Sequence, residues 1–312
     1  MKLENFKKSD VLVSLFVDSD GVKNVQDLNN CLYSVAKQKK SVDIAVLYNE
    51  LSDEEFQTLQ SIAANPMLHL LKKGENGEVT VEKTALLEGE SLNVVFVKND
   101  LKNFGQVFNH GFNIAVSCGY EFYSVIEQED VVAVLWYDYV SKFFAEDPNT
   151  SVYLPLARNI SNGIFTSLLN EAPWVEGLAE EAGTVDINLL LRYNVANILG
   201  AVFKVSSLLE YSEQVDNLYK PFKESMKVTH TYEFFLRMIY NDLKVRTLPR
   251  IGYELKFIGK PRFLETTSKV PQNIATIPPE LGGMTPAQVQ FYIDLAKKEY
   301  FFDNDRNIAF NS

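Results

Sequence analysis

The chain has 312 residues, enough for one large domain or two smaller ones, and its 46% hydrophobic and 23% charged residues are ordinary for a globular protein. A net charge of −11 argues against non-specific nucleic-acid binding, which needs Lys and Arg to displace counterions from phosphates. The first apolar run stops at Asp18, too short for a membrane span and poor for a signal peptide, so a cytoplasmic protein is expected.

Taken in chain order, the amino-terminal half alternates strand and helix. Val11–Val17 is a continuous apolar strand. Leu28, Cys31, Leu32 and Val35 recur at helical spacing and form a core-facing stripe. Residues 42–47 read as a second strand, 53–64 as a helix opening with acids, and 92–97 as a further strand. Residues 104–118 read as a helix with Val107, Phe108, Gly111, Ile114, Ala115 and Cys118 on one side. A strand at 123–127 closes this half, and the apolar run at 131–144 looks helical. Repeated units of this length predict a mainly parallel, doubly wound α/β sheet with right-handed crossovers and helices on both faces. Cys31 and Cys118, both at apolar helical positions, read as buried thiols without a disulfide, which suits a reducing compartment.

Beyond Asp147 the pattern loosens. Residues 152–157 read as a strand, 159–183 as loop and short helix around Trp174, 200–204 as a strand and 232–240 as a helix. Pro271, Pro278, Pro279, Gly282 and Gly283 are linker chemistry. Thr285 and Pro286 then open a final helix with Val289, Tyr292, Ile293 and Ala296 as its stripe. The expected division is a domain over 1–260, then a linker and carboxyl-terminal helix over 261–312. That helix docks on its own domain or on a protein partner.

The chemistry concentrates where the strand at 123–127 runs straight into Glu127, Glu129 and Asp130. In an open α/β sheet, ligands bind beyond the carboxyl ends of the strands. Carboxylates there can hold a divalent cation, and the cation can hold a phosphate. The competing reading is a solvated acidic turn before a helix, where acids favour the helix dipole. The sequence has no CxxC, HExxH or Gly-rich phosphate loop, and His69, His110 and His230 are too scattered to assert a zinc site.

The order of these pieces resembles the inverting, nucleotide-sugar-dependent glycosyltransferases of the GT-A fold, family 2. The resemblance rests on VSLFVDSDG (13–21), LNNCLYSVAKQ (28–38) and VDIAVLYNELSD (42–53). It continues through GQVFNHGFNIAVSCGYEFYSVIEQED (105–130), GAVFKVSSL (200–208), the region 230–237 and LKVRTLP (243–249). It covers roughly residues 10–255, with the family's acidic motifs degraded. What it implies is a GT-A-like sheet followed by a carboxyl-terminal helical extension. The implied activity is transfer of a sugar from a nucleotide-diphosphate donor, a UDP-sugar favoured, to a carbohydrate or other hydroxyl acceptor.

Carried over residue by residue, the resemblance assigns Asp18, Ser19 and Asp20, with Tyr48, Asn49 and Glu50, to the nucleotide. Asp18 stands where the family usually has Pro, and Tyr48 and Asn49 stand where it has two Asp. Tyr48 could stack on a pyrimidine and Asn49 could bond its edge. The family's metal-binding Asp-x-Asp matches Glu127-Gln128-Glu129, implying Mn²⁺ or Mg²⁺ on Glu127 and Glu129. Its general base falls at His230-Thr231, so His230 is implied as base or third metal ligand, with Glu233 as the alternative base. A carboxylate from Glu171, Glu176, Glu180 or Glu181 could also reach the acceptor side. The altered motifs equally suit a non-catalytic relic of the fold serving as a binding or assembly subunit. A nucleotidyltransferase ranks lower, because no Gly-rich basic loop follows the first strand.

Overall fold

A seven-residue run whose one polar side chain is Ser14 makes β1 (Val11–Val17), and every residue of it is buried. Ser14 is tolerated there because its hydroxyl bonds the Tyr123 hydroxyl at 2.6 Å, which in turn donates to the Phe108 carbonyl at 3.1 Å. The computed structural model describes residues 6–73, 79–88, 90–161, 164–171, 173, 181–192, 197–224 and 230–257. The expected linker and carboxyl-terminal helix lie outside these residues, as do Trp174, Glu176 and Glu180.

After β1 come α1 (Ser19–Lys23), α2 (Val25–Ala36), β2 (Asp43–Tyr48) and α3 (Asp53–Ala64). The start of α3 is set by a capping box in which Ser52 and Glu55 each bond the other's backbone N–H. A hairpin follows, β3 (Met67–Lys73) with β4 (Val79–Ala85), then β5 (Asn93–Lys98), α4 (Phe104–Ser117) and β6 (Phe122–Glu127). Next are β7 (Val131–Val132), α5 (Trp136–Glu146), β8 (Thr150–Ser161), β9 (Ile164–Leu169), β10 (Gly183–Val185) and α6 (Ile187–Arg192). The described chain ends with β11 (Val202–Lys204), α7 (Val205–Tyr211), β12 (Glu213–Val215), β13 (Leu218–Lys220), α8 (His230–Tyr240) and β14 (Lys244–Phe257).

Ten strands share one sheet, in the order β10-β14-β8-β11-β6-β1-β2-β5, with β7 on β14 and β9 on β8. β5, β2, β1 and β6 are parallel. β11 runs antiparallel to both β6 and β8, and β14 is parallel to β8. The carboxyl ends of β1, β2, β5, β6, β8 and β14 therefore face one edge. Tyr123 of β6 reaches α4, while the adjacent Ser124 meets Tyr137 of α5 at 3.3 Å, so helices cover both faces of the sheet. The expected doubly wound, mainly parallel architecture is the observed one.

Side-chain amides replace strand pairing in the connections. Asparagines among the described residues accept from the N–H and donate to the C=O of a single residue, and in five of these pairings both bonds are 3.2 Å or shorter. Asn30 pairs with His69 at 2.6 and 3.1 Å, Asn49 with Leu101 at 2.9 and 2.6 Å, and Asn170 with Asn197 at 2.7 and 3.2 Å. On α4, Asn109 pairs with Phe222 at 2.9 Å in both directions, and Asn113 with Tyr219 at 2.9 and 2.7 Å. A carboxamide has the donor and acceptor of a peptide group, so it satisfies loop backbone that would otherwise be buried unpaired.

Several expectations need correction. The run at 131–144 is not one helix. Val131 and Val132 pair with β14, and α5 starts only at Trp136. Where loop and short helix were expected at 159–183, the described residues include the end of β8, which continues to Ser161, and β9, which pairs with it. β14 runs past Pro249 to Phe257, accommodating the proline with register shifts between Thr247 and Tyr253. Cys31 is buried, but Cys118 caps α4 and is partly exposed, and no disulfide joins them. No helix among the described residues is long and apolar enough to cross a membrane.

The crossing of α5 and β14 is tightly packed. A Cβ on Gly252 would stand 2.3 Å from Trp136 Cε3, and Trp136 is 2% exposed with its indole N–H on the Gly200 carbonyl at 2.7 Å. Gly252→Ala is expected to destabilise the fold by about 1–3 kcal/mol through overpacking. Denaturant unfolding checks this as a lower midpoint at unchanged slope.

Candidate functional site

The site is built where β1, β2 and β6 end. Val17 pairs with Tyr48 and Phe16 with Glu127, so the loops after all three strands lie side by side. Asp18 caps α1 by accepting from the Gly21 N–H at 2.9 Å. Gln128 joins the loops. Its carboxamide accepts from the Asp18 N–H at 3.1 Å and donates to Asp18 Oδ1 at 3.0 Å. It occupies the space a Gly21 side chain would need, since a Cβ there would lie 1.8 Å from Gln128 Oε1.

The acidic turn is not the solvated helix start that was the competing reading. Glu127, Gln128, Glu129 and Asp130 are 7%, 8%, 9% and 0% exposed. Asp130 is held from both sides, Oδ2 accepting from the Tyr253 hydroxyl at 2.9 Å and Oδ1 from the Lys256 N–H at 2.8 Å. The same Tyr253 hydroxyl accepts from the Glu127 N–H at 3.1 Å. The Glu127 carbonyl accepts from the Asp130 N–H and the Cys31 thiol, both at 3.2 Å. Burial, and then the Asp130 charge, push the pKa of both the Cys31 thiol and the Tyr253 phenol well above the ordinary value.

The nucleotide-side residues divide by what holds them. The Ser19 hydroxyl bonds Glu55, already in the α3 capping box, and this bond above all lowers the Glu55 carboxyl from 4.5 to about 2. Tyr48 lies on Phe56 with ring centroids 4.9 Å apart, one ring face packed and the residue half-buried. Asn49 is committed to Leu101, which uses one of its two N–H donors and one of its two lone pairs. Asp20 and Glu50 are exposed at the rim.

The base candidates share a different element. His230 opens α8, and Glu233 lies in its first turn. Glu233 is 1% exposed, and Arg237 one turn later takes both of its oxygens, at 2.6 and 3.2 Å. Arg237 also donates to the Pro221 carbonyl at 2.7 Å and stacks over Tyr211 at 4.6 Å. This carboxylate is a member of a buried ion pair, and its i,i+4 spacing to Arg was a local signal for that role. Glu171 and Glu181 are exposed. Among the described residues no group of three His, Cys, Asp or Glu side chains is gathered to hold a metal ion. Gln128, Tyr253 and Lys256 were not anticipated at the site, because each acts across a separation of more than a hundred residues.

No family model matches the chain, and no curated protein matches it. Solved structures do. The S. aureus TarS 1–349 complex with UDP-GlcNAc aligns at TM-score 0.55 and 13% identity, covering 82% of this chain and 61% of that one. The complex of the same fragment with UDP aligns at TM-score 0.52 and 14% identity, covering 79% and 60%. The fold is similar to the TarS glycosyltransferase fold. This chain spans about 60% of the TarS fragment's length.

Two variants test the site's construction. Tyr253→Phe removes the hydroxyl between Glu127 and Asp130, and about 1–3 kcal/mol of stability is expected to go with it, read by denaturant unfolding. Glu55→Gln tests the Ser19 contact through pH. Because the folded carboxyl is depressed, its contribution is fully present above pH 4.5 and is lost as the pH falls toward about 2. The stability gap between wild type and Glu55→Gln should therefore be widest near neutrality and narrow on acidification.

Proposed function

We propose that the protein is an inverting, nucleotide-sugar-dependent glycosyltransferase of the family 2 kind, working in the cytoplasm on a carbohydrate or other hydroxyl acceptor. The observation that carries the reading is the fold shared with a protein solved with UDP and with UDP-GlcNAc. The loops after β1 and β2, and the acidic turn after β6, meet at the carboxyl edge where such a fold takes ligands. In this reading Asp18, Ser19, Asp20, Tyr48, Asn49 and Glu50 take the nucleotide.

Glu127 and Glu129 are the carboxylates that would hold a divalent cation. Two hard oxygen donors suit Mg²⁺ or Mn²⁺, which commonly binds between one or two carboxylates and the substrate phosphates rather than in an all-protein cage. When bound, such an ion neutralises charge on the leaving diphosphate. His230 is the proposed base, since the Glu233 carboxylate is taken by Arg237. The base removes the acceptor hydroxyl proton, and the acceptor oxygen forms its bond to the anomeric carbon. The bond from that carbon to the diphosphate oxygen breaks on the opposite side, inverting the centre.

A second reading has its own support. Asp130 and Glu233 spend both carboxylate oxygens inside the protein, and Asn49 is tied to a loop. These are features of a subunit that binds a nucleotide sugar without transferring it, with the carboxyl-terminal helix as a contact for a protein partner. Binding and transfer separate the two. UDP at 100 times its dissociation constant should stabilise the chain by about 2.7 kcal/mol, seen as a thermal shift. No shift with any nucleoside diphosphate at millimolar concentration rejects transfer and moves the reading to a non-catalytic relic of the fold serving as a binding or assembly subunit. His230→Ala should lower donor hydrolysis by ~10²–10⁴ while leaving UDP affinity and melting temperature unchanged. UDP binding with no hydrolysis or transfer in the unchanged chain favours the non-catalytic subunit.

A further inference from the structure

A diphosphate at this edge meets a dense negative field. Glu127, Glu129 and Asp130 lie in one buried turn, and Asp27 faces it from the first turn of α2. Lys256 stands among them. β14 points the same way as β1 and β6, so its last residues reach the same edge as the acidic turn. The Lys256 backbone N–H is fixed on Asp130 Oδ1 at 2.8 Å, and its ammonium lies 2.5 Å from Asp27 Oδ1. Through these two contacts Lys256 bridges the acidic turn after β6 and the first turn of α2. The Lys256 side chain keeps a quarter of its surface in solvent.

We propose that Lys256 is a binding residue for the diphosphate of the nucleotide donor, supplied by the protein itself beside the acidic turn. The inference rests on the glycosyltransferase reading and adds a ligand contact to it. The physical case is one of charge. Glu127, Glu129 and Asp130 in the turn, with Asp27 on the ammonium, outnumber Lys256 at this edge, and even a divalent cation does not offset a diphosphate in addition. An ammonium carries three N–H donors on a flexible four-carbon stem, so it can bond Asp27 and a phosphate oxygen together. The Asp130 contact fixes the backbone from which the ammonium swings.

UDP affinity of the full chain, measured by calorimetry in the presence of a chelator, tests this with three variants. Lys256→Met should weaken UDP binding about tenfold or more, the effect of losing a charge-assisted hydrogen bond. Asp27→Asn breaks the ion pair but keeps the ammonium, and Lys256→Arg keeps a cation. Both should hold UDP within about threefold of wild type on the same principle. Unchanged affinity in Lys256→Met overturns the inference and leaves the glycosyltransferase reading standing. An equal loss in Asp27→Asn also overturns it, because Lys256 would then be only a strut between β14 and α2. Binding by the unchanged chain only when Mn²⁺ is added moves the same comparison of variants into Mn²⁺, and no UDP binding with either chelator or Mn²⁺ overturns both readings together.

Discussion

One phenol ties β14 to the acidic turn after β6. The Tyr253 hydroxyl takes the Glu127 N–H and gives its own proton to Asp130, joining the last strand to the acidic turn across more than a hundred residues. Much of the local packing exists to seat that ring. Gly200 adopts φ +73, and a Cβ there would lie 2.5 Å from Tyr253 Cδ2. The Gly200 N–H bonds the Val125 carbonyl and its own carbonyl receives the Trp136 indole, so β6, α5 and β14 meet through one residue. Loosening any of these contacts deprives the buried Asp130 carboxylate of a donor, and a buried charge short of hydrogen bonds is costly.

The acids at this edge are preorganised rather than merely gathered. Asp130 is fully buried, and its oxygens accept from a phenol and a backbone N–H. Neutral donors hold a carboxylate in position without cancelling its field, whereas the Glu233–Arg237 pair nearly cancels its own. The two buried carboxylates thus have opposite roles. One keeps a negative potential near a ligand edge, and the other locks α8 onto Pro221 and Tyr211.

The elements legible in the sequence were those whose side chains all answer to one periodicity. β1 and α3 came out with the bounds observed, because one is apolar throughout and the other opens on a capping box. The β3–β4 and β8–β9 hairpins did not, because their strands mix apolar and polar residues on partly exposed faces. Asn76-Gly77 and Asn162-Gly163 were the available hairpin signals. β14 was hidden by Pro249 and Gly252, residues that ordinarily end a strand. At the site, topology made the order of loops legible, since parallel strands bring their carboxyl ends to one edge. Which side chains are already spent was not legible. The commitments of Asn49 to Leu101, Gln128 to Asp18 and Lys256 to Asp130 depend on partners far away in sequence.

The asparagine pairings set how this fold ages. Each of the five carboxamides presents an N–H to a backbone carbonyl and an oxygen to a backbone N–H. Deamidation, to which asparagine is prone at elevated temperature, replaces that amide with a carboxylate that accepts only. The carbonyl opposite then faces a negative oxygen instead of a donor, and the pairing turns from attraction to repulsion without any change in side-chain size. Four of these amides, Asn30, Asn49, Asn109 and Asn113, each hold a segment beside a helix or strand end of the main sheet layers. Such a change at any of them would turn a clasp between two distant segments into a repulsion.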